Sequence, residues 1–404
     1  MYVEPPPTTA IFILVNLTNE LTEARAVPAL LRALNERTVL DAVREAGPIS
    51  RAEVARQTGI SRPTVSLVLR SLVDDGLVRE TEHDAEGPHY GAVYYEAHPE
   101  AAAVLAVDFG AGAVRTALCD LSGEVRAREE IRSRGSVDER IDALASTVRS
   151  LLRRGKLPAD LLENAVVALP AVVSPSDGNV SSADLPGLGP GDLRERLEQA
   201  LRVPVALEND VNLAAVAEQH HGVAAGVADF AFLLVGAGLG AAVVIDLKVH
   251  RGHHGAAGEL DSVRNGRPDN VDPCAAAISQ FAAEAAHGEK TILESPYEIR
   301  DVFAAARIGD EVAVAVVEET ARRIALHALP LVATLDVPLI VLGGSVGANA
   351  DLLEPVRLHL EGWLPTPTPR IEVSALGEAA VIEGALATGV DSALERVFER
   401  RVRA

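Results

Sequence analysis

"GPISRAEVARQTGISRPTVSLVLRSLVDDGLV", residues 47 to 78, decides the N-terminal fold. Just upstream, from Asn35, Val39, Leu40 and Val43 recur at helical spacing, and Gly47-Pro48 stops that first helix. Ser50 is placed to cap a second helix, with Glu53 three residues on to complete a capping box and Val54 and Ala55 facing inward. Thr58-Gly59-Ile60 supplies a tight turn. Ser61 then caps a third helix, Pro63 sits in its first turn where a missing N–H costs nothing, and Val65, Leu69, Leu72 and Val73 form a buried stripe that ends at Gly76. Helix, glycine turn, helix is the helix-turn-helix arrangement, whose second member enters the major groove of DNA. Two strands, "LVRETE" at 77–82 and "AVYYEAH" at 92–98, joined by "HDAEGPHYG", add a wing.

The 404-residue chain carries a formal net charge of −21, so any contact with phosphate must be local. Between residues 50 and 70, Arg51, Arg56, Arg62 and Arg70 face a single acid, Glu53, which makes this surface basic. Ser61, Arg62, Thr64 and Ser66 at the start of the third helix, flanked by Arg51 and Arg70, are the candidate DNA contacts. They offer hydroxyls for phosphate or base edges and an arginine able to grip guanine with two bonds. The same helices could serve as a dimerisation unit alone. Only Lys156, Lys248 and Lys290 are lysine, so a lone arginine elsewhere carries little site information.

Length and a hydrophobic content of 48% suit two or three domains with real cores. The apolar run "IFILVNL" at 11–17 is too short to span a bilayer and follows Glu4 and three prolines, not a basic leader, so a cytoplasmic protein without a membrane partner is expected. Cys119 and Cys274 alone make neither a disulfide framework nor a thiolate zinc site.

From Val104 the chain alternates β-rich runs, "AVLAVDFG", "AVVALPAVV", "VPVALEND", "FAFLLVGAGLGAAVVID" and "VPLIVLGGS", with helical stretches such as "DERIDALASTVRSLLRR". That pattern predicts an α/β body with a long first hairpin.

The helix-turn-helix stretch resembles the winged helix-turn-helix of ROK-family transcriptional regulators of the xylose-repressor type. The resemblance continues, in order, through "VLAVDFGAG", "SADLPGL", "VPVALENDVNLAAVAE", "GAGLGAAVVIDLKVHRGHHGAAGEL", "VPLIVLGGSVG" and "LGEAAVIEGALATG", over roughly residues 35 to 395. It implies an actin-like ATPase body of the ROK and hexokinase kind, with two α/β lobes, a sugar in the cleft and, in the kinases, ATP beside it. Residues 1–30, Pro-rich at the start and without a clean period, are expected to be a flexible arm; the layout beyond it is the winged helix-turn-helix over 31–100, a first lobe over 101–212 completed by a C-terminal helix at 386–404, and a second lobe over 213–385. The Gly-Arg pair usual in the family's wing is replaced by Gly87-Pro88-His89.

Asp108 and Gly110 match the family's first phosphate loop, but Gly112 and Ala113 stand where threonine and lysine donors are usual. Gly236 and Gly238 match the second loop, again without its hydroxyl, and Gly343 and Gly344 match the adenine side. Asn209 and Asp210, the latter at the position of the family's catalytic base, and Glu259 match sugar contacts; a bare N-cap is the alternative role for Asp210. The family's asparagine before "LPG" is Asp184, the histidine after the sugar-contacting glutamate is Ser262, and the zinc motif is reduced to "NVDPCAAAIS", with Cys274 alone and Ala276 at the glutamate position. His250, His253 and His254 show no metal-ligand spacing.

The resulting expectation is a non-enzymatic transcriptional regulator, a repressor, working as a homodimer or dimer of dimers. It would read a palindromic operator in double-stranded DNA and sense a sugar, without ATP or zinc. The alternatives are a bifunctional sugar kinase and a regulator controlled by a protein partner.

Overall fold

Cap chemistry and helical period set the first elements of the computed structural model, which describes residues 31–81, 93–110, 112–132, 135–181, 192–260 and 272–403. The 1–30 arm, the wing tip with Gly87-Pro88-His89, Asp184 and Ser262 lie outside these. The chain divides into two units, one made of the residues up to Ala102 with Asp120–Glu124 and Ser392 onward, the other of Ala103–Cys119 and Val125–Asp391.

In the first unit, helix α1 (31–46) buries Val39, Leu40 and Val43. Strand β1 (Ile49–Ser50), α2 (Arg51–Thr58) and α3 (Arg62–Asp74) follow. Ser50 caps α2 by accepting from the Glu53 N–H at 3.3 Å. The capping box is only half made, because the Glu53 carboxylate takes hydrogen bonds from Arg56 and Gln57 instead. Gly59, at φ +70°, closes α2 with its N–H on the Ala55 carbonyl at 3.1 Å. On α3 the buried stripe is Val65, Val68, Leu69 and Leu72, and Val73 is only half-buried. Positions 65, 68, 69 and 72 follow the i, i+3, i+4, i+7 rule, whereas 73 is turned a further 100°. Ala55 is likewise only half-buried beside the fully buried Val54.

Strands β2 (Val78–Thr81) and β3 (Tyr94–Ala97) pair antiparallel, and β1 adds to β3, giving the order β1-β3-β2. His98 falls outside the strand, its backbone N–H on Leu77 O and its ring Nδ1 bonded to Gly76 O, both at 2.9 Å. Arg44 of α1 donates to the carbonyl of Leu121, whose own N–H donates to Pro99 O at 3.0 Å, so the 120–124 turn is fastened to this unit.

The second unit repeats one arrangement twice. Its first sheet contains β4 (Ala103–Phe109), β5 (Val114–Asp120), β6 (Val125–Ile131), β7 (Leu162–Leu169) and β10 (Val205–Asn209), in the order β10-β7-β4-β5-β6. Its second contains β11 (Phe230–Val235), β12 (Leu239–Ile245), β13 (Lys248–Val249), β14 (Leu339–Gly343) and β15 (Arg370–Val373), in the order β13-β12-β11-β14-β15. In each, the first strand is central, the next two lie to one side, and the last two continue parallel on the other. This is the α/β body expected from the alternating runs. A short hairpin, β8 (Val172–Val173) with β9 (Val180–Ser181), sits within the first lobe.

Helices α4 (Val137–Gly155), α5 (Leu193–Leu201) and α6 (Asp210–His221) belong to the first repeat. The second holds α7 (Ala275–Ala285), α8 (Ile299–Arg307), α9 (Glu311–Leu335), the single turn α10 (Gly344–Gly347) and α11 (Leu353–Trp363). The last helix, α12 (Ala380–Arg403), begins six residues before the expected 386. Its Gly389 lies so close to Val104 of β4 that a Cβ would come within 2.3 Å, and its carbonyl accepts from Asn164 Nδ2 of β7 at 3.0 Å.

Candidate functional site

At the start of α3, Ser61 has two partners within its own turn, the Thr64 N–H at 3.4 Å and the Thr64 hydroxyl at 2.8 Å. Ser66 donates to the Arg62 carbonyl at 2.8 Å and receives a bond from Arg51 at 3.2 Å. Three of the four predicted hydroxyl and arginine contacts are thus also braces, while Arg51, Arg62 and Arg70 keep exposed positions. Arg51 from α2 and Arg62 and Ser66 from α3 line one surface concavity. Arg56 is paired with Glu53, so the local excess of positive charge resides in those three arginines. Sequence reasoning missed Tyr95 of β3. Burial, reinforced by Glu80, pushes its phenol up, and the charges of Arg51 and Arg70 pull it back.

The body contains a cavity of about 600 Å³ whose lining includes Asp108, Arg115, Asp210, Gly236, Arg307 and Gly344. It brings together positions from both predicted phosphate loops and the predicted sugar site. Asp108 is the next-to-last residue of β4; burial raises its carboxyl pKa, and Arg115 counters that. Asp210 is the first residue of α6. The N-cap is Asn209, not Asp210: Asn209 Oδ1 accepts from the N–H groups of Val211 at 2.9 Å and Asn212 at 3.1 Å, and Nδ2 donates to Ala171 O. Asn209 therefore holds Asp210 in place. Burial pushes the Asp210 carboxyl up to about 7, against a hydrogen bond from Val211 and with added repulsion from Asp108 and Glu259.

Glu259 reaches this neighbourhood on a loop that only glycine can form. Gly255, at φ +81°, would set a Cβ 2.0 Å from Val173 O, and Gly258, at φ +91°, 1.8 Å from Ala241 O. The imidazoles of His253 and His254 meet edge to face at 4.5 Å, and no group of three metal-ligating side chains occurs among the described residues.

The nucleotide-loop glycines divide into two kinds. Gly343 has no room for a Cβ against the Phe232 ring, and Gly344, at φ +84°, none against Val235 O, so packing alone requires both. A Cβ on Gly238 meets nothing within 4 Å, and one on Gly236 reaches Ser345 Oγ at 3.3 Å. At Gly110 the carbonyl accepts a bond from Arg140, a residue only 4% exposed, whose guanidinium lies 4.1 Å from the Phe109 ring centroid and has no hydrogen-bond partner at Nε. Arg115 points each nitrogen at a different acid: Asp108 at 3.5 Å, Glu130 at 3.6 Å and Glu378 at 3.4 Å.

Where the resemblance places zinc, Cys274 is buried at the start of α7, and Ala276 is exposed. The preceding Asp272 carbonyl is held by Arg323 of α9 at 2.9 Å. That arginine stacks over Phe281 and pairs with Glu319, whose carboxyl Arg322 and Arg323 lower to about 2.

The ROK family profile matches residues 104–390, and a MarR family profile matches residues 33–87. The chain belongs to the ROK family. It is 24% identical over 389 residues to the xylose repressor of Caldicellulosiruptor bescii, covering 90% of this chain and 97% of that protein. A glucokinase of Halalkalibacterium halodurans is 27% identical over 306 residues, covering 69% of this chain and 92% of that protein. Among solved structures, a ROK family transcriptional regulator, described as a homolog of the E. coli MLC protein, superposes with a TM-score of 0.74 at 22% identity, over 92% of this chain and 99% of that one. The fold is that of a winged helix-turn-helix followed by a two-lobed actin-like body.

Proposed function

We propose that this chain is a sequence-specific DNA-binding transcriptional repressor whose body binds a sugar or related polyol and thereby changes operator affinity. One observation carries the reading: a winged helix-turn-helix with Arg51, Arg62 and Arg70 exposed is joined to a sugar-kinase-like body in a single chain. The repressor relative spans nearly the whole of it, whereas the glucokinase relative spans 69%. A two-fold dimer, or a dimer of dimers, reads a palindromic operator with half-sites a whole helical turn apart. It acts where the chromosome is, in the cytoplasm; no helix among the described residues is long and apolar enough to cross a membrane.

The body senses without phosphoryl transfer. A magnesium nucleotide, which the fold family implies, needs an acid open to the metal and donors around the phosphates. Here Asp108 faces Arg115, Gly112 and Ala113 offer no side-chain donor, and the residues do not fit that group. Nor do they fit zinc, with Cys274 as the sole cysteine of its segment. Asp210 and Glu259, with Asp184 and Ser262 as the remaining candidates, accept or donate hydrogen bonds to ligand hydroxyls. Such a ligand shifts operator affinity only through its differential affinity for two conformations of the protein.

A second reading, a bifunctional sugar kinase, is favoured by Asp210, whose pKa near 7 suits a general base. Selection of genomic fragments by the purified chain at fixed salt, repeated with a panel of sugars, tests the first reading. A palindromic motif released by one sugar supports it. A motif indifferent to every sugar supports control by a protein partner, and sugar-dependent ADP release without any motif supports the kinase.

A further inference from the structure

We propose that Leu67 is a base-reading residue that selects a thymine through its 5-methyl group. The inference rests on the DNA-binding reading of α3 and extends it to a named chemical feature of the operator. Leu67 is 68% exposed, more than any other large apolar residue among the described positions of its unit. Its neighbours on the helix do not explain this. The core side of α3 is already complete with Val65, Val68, Leu69 and Leu72.

Spacing puts Leu67 near the middle of the exposed face of α3, beside Arg70. It lies one turn after Pro63 and three residues before Arg70, and Ser66 beside it is bonded to Arg51. From Arg62 to Ser71 the helix has no acidic residue. An exposed leucine on the helix that also presents Arg62 and Arg70 suits a partner that is anionic around an apolar spot. The major groove offers that combination, since phosphates flank it and the thymine methyl is the apolar group on its base edges. The arginines supply attraction to any sequence, and the leucine supplies discrimination that no charge can.

The test uses the full chain and an operator selected from random DNA, in which each thymine is replaced in turn by uracil, deleting the methyl alone. The expected result is one position in each half-site where the replacement weakens wild-type binding by about fourfold, the worth of one buried methyl. Leu67→Ala should bind the thymine and uracil forms equally at that position, with its melting temperature unchanged, and Leu67→Met should restore a preference for thymine. Tight operator binding with no methyl effect, a selected operator without thymine at any contacted position, or a preference that persists in Leu67→Ala overturns the assignment of Leu67 alone. Failure of the wild-type chain to select any sequence overturns the DNA-binding reading, and this inference with it.

Discussion

Arg115 Nη1 lies 3.5 Å from Oδ2 of Asp108 in the cleft of the body, so the acid that a metal-nucleotide site would leave open has a resident cation beside it. The same guanidinium also faces Glu130 and Glu378. Arg115→Ala leaves three carboxylates without their shared counter-ion. The variant should melt below the wild type, by a margin that widens from pH 5 to pH 8 as the Asp108 carboxyl, which burial raises above its ordinary range, gives up its proton. Thermal unfolding at the two pH values measures this; an equal margin at both would remove the electrostatic explanation.

Asp210 titrates near 7 in the folded protein and at its ordinary 3.8 when unfolded. Between those values the folded state binds more protons, so this group's contribution is complete below pH 3.8 and is lost as pH rises through 7. Asp210→Asn cannot ionise. It should match the wild type in stability near pH 4.5 and exceed it at pH 8, as read from urea midpoints across that range, while losing affinity for the sensed ligand.

Two glycines of the cleft should behave in opposite ways. Gly344→Ala places a Cβ against Val235 O in a left-handed conformation and should cost about 2 kcal/mol or more. Gly238→Ala enters open space and should change stability by less than about 0.5 kcal/mol. Chemical denaturation compares them. A stable Gly238→Ala with weakened ligand binding would mark that backbone as part of the binding surface.

Ser61 and Arg62 separate folding from recognition. Ser61→Ala removes the α3 cap and should destabilise by about 1 kcal/mol. Arg62→Ala should leave stability unchanged and weaken DNA binding, with a salt dependence lower by about one counterion if the contact is to phosphate. Paired denaturation and binding titrations at several salt concentrations distinguish the two.

The helix-turn-helix was legible because its signals are local. Ser50, Gly59, Ser61 and Pro63 act within a turn of their own positions, and the strand runs of the body carry their own composition. Local patterns ran out where chemistry is shared across distance. The Arg115 guanidinium joins Asp108 and Glu130 to Glu378, which lies 263 residues beyond that arginine, and no spacing rule links them. Arg140 was concealed by the chain's general preference for arginine, although burial over Phe109 makes it exceptional. The exchange of cap roles between Asn209 and Asp210, and of Val68 for Val73, turned on backbone placement by a single residue. Asp184 and Ser262 lie outside the described residues, so their place near Asp210 and Glu259 remains part of the proposal.

Operator binding by the folded Arg62→Ala/Thr64→Ala double variant tests the central claim most directly. With the wild-type operator as probe and fluorescence anisotropy at fixed salt, the account predicts at least a tenfold loss of affinity at unchanged secondary structure, from contacts worth about 1–3 kcal/mol each. Wild-type affinity in a well-folded double variant would contradict it, because α3 would then not be the element that reads DNA.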